Sequence, residues 1–453
     1  MRLNKYIFLF LIIFVTIFSY AEEKIHKRVL TLAESIQIGI KNSYSMEILN
    51  EKIEQAHALQ RKAMALLLPI LNVQGSYTRY DKEVEMNFPV MDSLELINTP
   101  PYIKFSKYQN YVIQKENSFG ALISLNVPII NIPNYLTYKN SKESLKIAGL
   151  SKDNQRAELI YNISITYLNT ISIKKSIAIT KNSIELATSH LKVVETKLKN
   201  GDTNELALIK ARLDLKRAQN DYEKAQKAYS IAIKSLALLL SITDSFDVED
   251  SVSINTEFIA EDETLLKRAI KNRTDLKILF ENSDIIKRDI NITKARFLPV
   301  LNMNATYRYS DMSSFLGDET QWFILFSLSL NLYDGGLRYG EMREKNSKLR
   351  ENQIQIRQLT DSIRSQINQN ITEIDACKRD INSLNEQLEL AKRSYELSLK
   401  SYDIGVISQS DLIDSEAIVT TTELLLEKEK NDCLIQYIKL LKTIGEINKF
   451  EGK

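Results

Sequence analysis

LLPILNVQGSY, residues 67–77, returns as FLPVLNMNATY, residues 297–307. Each copy ends an amphipathic, helix-like stretch, and its proline, Pro69 or Pro299, stops the helix because it has no N–H to donate and its ring clashes with the preceding turn. Beyond the proline the apolar period changes from helical to two. Leu71, Val73, Gly75 and Tyr77 oppose Asn72, Gln74, Ser76 and Thr78. Leu301, Met303, Ala305, Tyr307 and Tyr309 oppose Asn302, Asn304, Thr306 and Arg308. Each copy is then answered by a second alternating run. In the first, Phe119, Ala121, Ile123, Leu125 and Val127 alternate with Ser118, Gly120, Leu122, Ser124 and Asn126. In the second, Trp322, Ile324, Phe326, Leu328 and Leu330 oppose Ser327, Ser329 and Asn331. Strands of about ten residues with one apolar and one mostly polar face have the length and period of a membrane β-barrel strand. Tyr77, Tyr307, Tyr309 and Trp322 near the strand ends fit that reading, and a soluble hairpin packed on a helix is the alternative.

All seven prolines lie near these hairpins, so residues 134–298 and everything after Pro299 are free to be continuous helix. The region from about Thr31 to Leu68 reads as helix, with Leu32, Ile36, Ile40 and Ile53 among its apolar positions. The tract 134–200 would be about 100 Å long at the α-helical rise. Seven-residue seams run through these tracts. Ile177, Ile184, Leu191 and Leu198 form one, and Leu208, Leu215, Tyr222, Tyr229 and Leu236 the next, beside Ala211, Ala218, Ala225 and Ala232. Ile374, Ile381, Leu388, Tyr395 and Tyr402 face Leu412, Val419, Leu426, Cys433 and Leu440 in the second copy. Such spacing gives coiled-coil packing. Each long tract is broken by one turn glycine, Gly201 or Gly405.

The predicted organisation is a signal peptide (1–21) and a first repeat (22–242, hairpin about 70–128). A linker (243–260, within an acidic, irregular stretch from 241), a second repeat (261–447, hairpin about 299–333) and a short tail (448–453) follow. Arg2 and Lys5, the apolar run Tyr6–Phe18 and the small-x-small site Ser19-Tyr20-Ala21 make the leader. At about 13 residues that run is short of the roughly 20 a membrane-spanning helix needs. No cysteine follows the predicted cut, so no amino-terminal lipid anchor is expected. Losing the leader takes the formal charge from +2 to 0, which gives no reason to expect nucleic acid as a partner.

The fold class is therefore mainly α with a membrane β-barrel part. Four strands cannot close a barrel, and an open edge in lipid strands backbone N–H and C=O groups at several kcal/mol each. Closure requires oligomerisation: two chains give eight strands and a filled interior, three give twelve and an aqueous lumen, and arithmetic alone leaves four chains open. The order helix, hairpin, long helical hairpin, written twice, resembles the outer-membrane efflux proteins of the TolC family over nearly the whole mature chain. LLPILNVQGSY, FLPVLNMNATY, NLYDGG (331–336) and YDIGVISQSDLIDSE (402–416) carry the resemblance. It implies a homotrimer in the cell outer membrane, with a twelve-stranded barrel continued by a periplasmic helical barrel. It also implies a passive duct for a tripartite efflux pump or a type I secretion system. The partners would be a periplasmic adaptor (membrane fusion protein) and an inner-membrane transporter of RND or ABC type.

The resemblance also assigns residues. Asp411 and Asp414 match acidic rings at the periplasmic mouth, where carboxylates would attract cations and confer cation selectivity. Solvated acids at a helix amino terminus are the plainer alternative. Tyr402 matches a tyrosine that latches the mouth, and Gly201 and Gly405 mark the inter-helix turns that contact the adaptor. The usual charge-pair lock is not expected. Ile407 stands where the family often has arginine, and Ala207 replaces the first-repeat acid, with Glu205 the nearest one.

His26, His57 and His190 are scattered, and no phosphate loop, dinucleotide fingerprint or nucleophile elbow occurs, so neither metal, cofactor nor enzyme activity is expected. A periplasmic coiled-coil scaffold without a pore is the competing reading; it would not need the strands. A surface adhesin stalk is a second, and it should lack the duplication. The loop 81–118, about 38 residues against about ten in the second hairpin, is expected to face outward. Cys377 and Cys433 each stand 28 residues from Gly405 on apolar seams. Because paired helix axes are usually 8–10 Å apart and a disulfide wants Cα atoms within about 7 Å, two core thiols are the expectation and a disulfide the alternative.

Overall fold

A computed structural model of the chain describes residues 28–90, 107–252, 262–311 and 320–450; the leader and the tips of both hairpin loops lie outside them. Two compact units can be distinguished. One comprises residues up to 48, 152–276 and 359 onward, and the other 49–151 and 277–358.

The strand-bearing unit holds one four-stranded antiparallel sheet. Its strands β2 (Ile70–Arg79), β5 (Asn117–Ile130), β7 (Val300–Ser310) and β8 (Thr320–Ser329) pair in the order β2-β5-β7-β8. Register decides which side chains share a face. Tyr77 is opposite Phe119, Ile123 opposite both Val73 and Tyr307, and Tyr307 opposite Trp322. All four predicted apolar sets therefore stand on the same face, because a period of two keeps partners aligned once one pair is set. On the other face Asn304 donates to Asn126, and Thr306 Oγ1 donates to Asn304 Oδ1 at 2.6 Å. Phe323 and Leu325 stand on this second face, an exception the alternation did not forecast. The loop 81–118 is less irregular than its composition implies. β3 (Val84–Val90) and β4 (Lys107–Gln114) pair as an antiparallel hairpin beyond β2 and β5.

Sharp connections lead out of the sheet. In NLYDGG, Gly335 and Gly336 take φ of 68° and 89°, a region that favours glycine. Asp334 accepts from the Gly336 and Arg338 backbone N–H groups. Arg338, 3 % exposed, donates to Asp334 at 2.6 Å and to the carbonyls of Arg296 and Asn331 at 2.9 Å each. One guanidinium thus ties the strand exit to the end of the preceding helix.

The second unit is helical apart from a short pair of strands. Its elements are α1 (Leu32–Asn42), α4 (Glu205–Leu240), α5 (Asp262–Asn272) and α8 (Gln409–Thr443). It also takes parts of α2 (Tyr44–Ala65), α3 (Ile132–Lys199), α6 (Thr274–Ala295) and α7 (Leu337–Asp403). The expected single helix 31–68 is two. Thr31 caps the first through a capping box with Glu34. Ser43 then turns extended at ψ 118° and offers its carbonyl to the Met46 N–H, so the polar residue ends one helix and starts the next. The stretch 241–258 is not irregular throughout either. β6 (Phe246–Val248) pairs in parallel with β1 (Arg28–Leu30), and Val248 is fully buried; residues 253–261 lie outside the described chain.

The duplication persists in the cores. Leu30, Ile36, Ile160, Ile163, Tyr167, Leu236 and Leu240 pack in one cluster, and Leu265, Ala269, Ile363, Ile367, Ile374 and Tyr437 in the other. The heptads have a second, smaller seam. Thr180, Ala187 and Val194 are buried, while Ile177, Ile184, Leu191 and Leu198 are half-buried. The two rows alternate at three- and four-residue steps, as coiled-coil packing demands. Expected as free thiols, Cys377 and Cys433 instead form a disulfide with Cα atoms 5.6 Å apart. Axis separation was the wrong measure. A Cα stands about 2.3 Å off its helix axis, so facing seam positions approach each other much more closely than the axes do.

Candidate functional site: the paired helical turns

Gly201 and Gly405 sit in two copies of one turn, with φ of 81° and 77°. In each, the glycine N–H and the next one close back on the helix: Asp202 N–H donates to the Lys197 carbonyl at 2.8 Å, and Val406 N–H to that of Ser401 at 2.9 Å. This six-to-one bond with a left-handed glycine is a Schellman stop. Three residues after each glycine a polar side chain caps the next helix. Asn204 accepts from Ala207 N–H at 3.0 Å and Ser408 from Asp411 N–H at 3.3 Å.

Asp411 completes a capping box, its Oδ2 accepting from the Ser408 N–H at 2.9 Å and hydroxyl at 2.8 Å. Those two bonds, the hydroxyl's first, hold its carboxyl below the usual range. Asp411 is exposed and starts the helix as a capping acid. Ala207 occupies the equivalent position in the first repeat, so that turn has half of the box. Asp414, one turn further along α8, is exposed and lines a groove.

Tyr402 is 8 % exposed at the end of α7. Lys197 Nζ lies 4.2 Å from its ring centroid and donates to its carbonyl oxygen at 3.2 Å. His190 meets the ring edge-on at 5.5 Å between centroids. Burial, then the Lys197 charge, push the His190 pKa down. Two further bonds join the turns: Gln409 Nε2 donates to the Ala207 carbonyl at 2.9 Å, and Lys210 Nζ to the Ser410 hydroxyl at 3.1 Å. The contacts between the turns are thus one cation on a ring and hydrogen bonds to neutral acceptors. Sequence reading missed Lys197, His190 and Gln409. Lys197 and Gln409 each stand four residues from a turn glycine, which was their one signal, and His190 stands eleven away.

It also missed Glu416, a carboxylate 5 % exposed on the inner side of α8. Burial, then the nearby charge of Asp214, push its pKa up to about 7. Asp214, on α4, is itself raised by burial, with Arg217 opposing. The signal was legible: Glu416 is four residues after Leu412 and three before Val419, where a seam wants an apolar side chain.

The profile of the outer membrane efflux proteins matches residues 36–241 and 265–446, each repeat in turn. The chain belongs to the outer membrane efflux protein family. Solved structures agree on the fold. CusC superposes with a TM-score of 0.76 at 15 % identity, over 91 % of this chain and 92 % of its own. The Campylobacter jejuni CmeC outer membrane channel gives 0.72 at 17 %, over 92 % and 85 %. VceC of Vibrio cholerae gives 0.71 at 15 %, over 91 % and 96 %. Comparison with curated proteins gives no match. An outer membrane efflux protein is a transport duct and not a catalyst, with its strands in the outer membrane and its helices in the periplasm. The pore-free scaffold is set aside by the membership and by the sheet. Among the described residues no helix is long and apolar enough to cross a membrane.

Proposed function

We propose that three copies of this outer membrane efflux protein close one twelve-stranded barrel and form a passive export duct, served by a periplasmic adaptor and an inner-membrane pump. The observation that carries the reading is the sheet. It gathers four apolar strand faces on one side and leaves β2 and β8 as edges without a neighbour among the described residues. Every residue of both edge strands is exposed in the single chain, Val73 at 73 % and Trp322 at 72 %. An apolar edge in lipid is stable only when another strand takes its backbone groups. Pairing β8 of one copy with β2 of the next satisfies both edges, and three copies leave room for a lumen.

In that assembly the turns at Gly201 and Gly405 face the adaptor, Asp411 and Asp414 ring the periplasmic mouth, and Tyr402 with Lys197 holds it shut. Energy for transport comes from the pump, of RND or ABC type. Crosslinking in membranes should trap trimers, and the purified protein should conduct in planar bilayers with a preference for cations that falls when Asp411 and Asp414 are both changed to Asn. Trapping of dimers alone, or absence of conductance, would overturn the duct. Unchanged selectivity in the double variant would leave Asp411 with its capping role only.

A further inference from the structure

A groove of about 460 Å³ opens between α3, α4 and α8 within a single chain. Four carboxylates line it, Asp214, Asp221, Asp414 and Glu416, against one guanidinium, Arg217. Ser176, Thr180 and Ser183 of α3 supply hydroxyls on one wall, while Ile413 and Leu424 of α8 make apolar surface on another.

Glu416 sets this groove apart from an ordinary acidic surface. Two other half-buried acids of the same helix are paired: Glu423 with Lys392 at 2.8 Å, and Glu427 with Lys175 at 2.8 Å and Lys430 at 2.9 Å. Glu416 is more deeply buried than either, yet among the described residues it has no hydrogen-bond or ion-pair partner. A buried carboxylate without a counter-charge is costly, and chains that keep one supply it with a proton or a cation.

We infer that this groove is a binding site for an organic ammonium ion, with Glu416 and Asp214 accepting from the cationic head and Ile413 and Leu424 covering an apolar body. The volume falls within the range of small-molecule pockets, which is far more than a bare ion needs. No group of three or more His, Cys, Asp or Glu among the described residues is placed to hold a metal ion, so the charge is set out for a donor-bearing organic head. The site is built within one chain and does not rest on the duct, the trimer or the acidic mouth.

Binding is linked to protons. The charged groups that face Glu416 are Asp214, Arg217 and Asp221 of α4 and Asp414 of its own helix; α3 presents only hydroxyls, and Tyr395 on α7 feels its charge. Burial and the adjacent Asp214 keep a proton on Glu416 into the neutral range. An ammonium ion in the groove replaces that proton, which passes to solvent.

Calorimetric titration of the purified full chain with 2-phenylethylamine tests this, with 2-phenylethanol as its uncharged counterpart. The amine should bind saturably, and more tightly by about tenfold from about pH 6 to about pH 8 as Glu416 ionises. Glu416→Gln should weaken it by about tenfold or more and flatten the pH dependence, Asp214→Asn should weaken it less, and Glu423→Gln should leave it unchanged. Equal binding of the alcohol, undiminished binding by Glu416→Gln, or no saturable binding by the unaltered protein at millimolar amine would each overturn the inference. Thermal unfolding of each variant, run alongside, separates loss of the site from loss of the fold.

Discussion

Glu416 and Lys197 show what single side chains do where two repeats meet. The raised pKa of Glu416 is a stability statement whose sign follows from proton counting. Between its ordinary value of 4.5 and about 7 the folded chain binds more protons than the unfolded one, so stability falls as pH rises through that window and the deficit is complete above it. Glu416→Gln, which cannot ionise, should raise the unfolding midpoint at about pH 8, by an amount corresponding to roughly 1–3 kcal/mol, and change little at about pH 4. Equal midpoint shifts at both pH values would show that Glu416 is not the titrating group. Lys197 acts in the opposite sense, as a favourable contact. Lys197→Ala removes both the cation over the Tyr402 ring and the bond to its carbonyl, together about 1–2 kcal/mol. If the clasp holds the mouth shut, single-channel recordings should show the open state favoured by roughly tenfold, and an unchanged open fraction would reduce the contact to packing.

At the scale of elements, legibility followed periodicity. The four strands were readable because a period of two with aromatics near the ends is a backbone-level signal, and register then placed every predicted apolar set on one face. The long helices were readable from seven-residue spacing and from missing proline. What stayed hidden depended on local hydrogen bonding or on pairing at a distance. The break at Ser43 rests on one extended backbone angle, and β6 is a strand only because β1 lies beside it. The β3–β4 hairpin was passed over although Val84, Met86, Phe88 and Val90 alternate, because Pro89 in that run has no N–H to give a ladder and charged residues flank it. The candidate site divides in the same way. The two turn glycines were legible, and Glu416 could have been found as a charge on an apolar seam, whereas Lys197 and Gln409 act through partners on the other repeat. The disulfide between α7 and α8 belongs here as well. It closes a loop of 56 residues, and loops of that size are stabilised by about 4 kcal/mol on the chain-entropy account. Protein denatured without reductant should react with no thiol reagent and after reduction with two equivalents; two thiols before reduction would mean that α7 and α8 are held by packing alone.

For the whole molecule, the asymmetry of the two hairpins gives the orientation in the membrane a test of its own. The connection between β2 and β5 runs over about 38 residues and carries its own paired strands, whereas that between β7 and β8 needs about ten. Outer-membrane barrels place long loops outside the cell and short turns on the periplasmic side, since the outer loops are the ones that meet the surroundings. Both hairpin loops here lie on the side opposite the helix connections of their strands, so both are assigned outward, and the longer one should be the first segment an external protease meets. Lys104 and Lys107 near its middle, with Arg79 and Lys82 at its base, offer tryptic sites. Limited trypsin treatment of intact cells should therefore nick the chain between residues 79 and 116 while the helical tracts stay whole. The fragments should remain together until the protein is denatured, because β2 and β5 pair over ten positions below the cut. Cleavage first near Gly201 or Gly405 would reverse the orientation and with it the assignment of the turns to the periplasm.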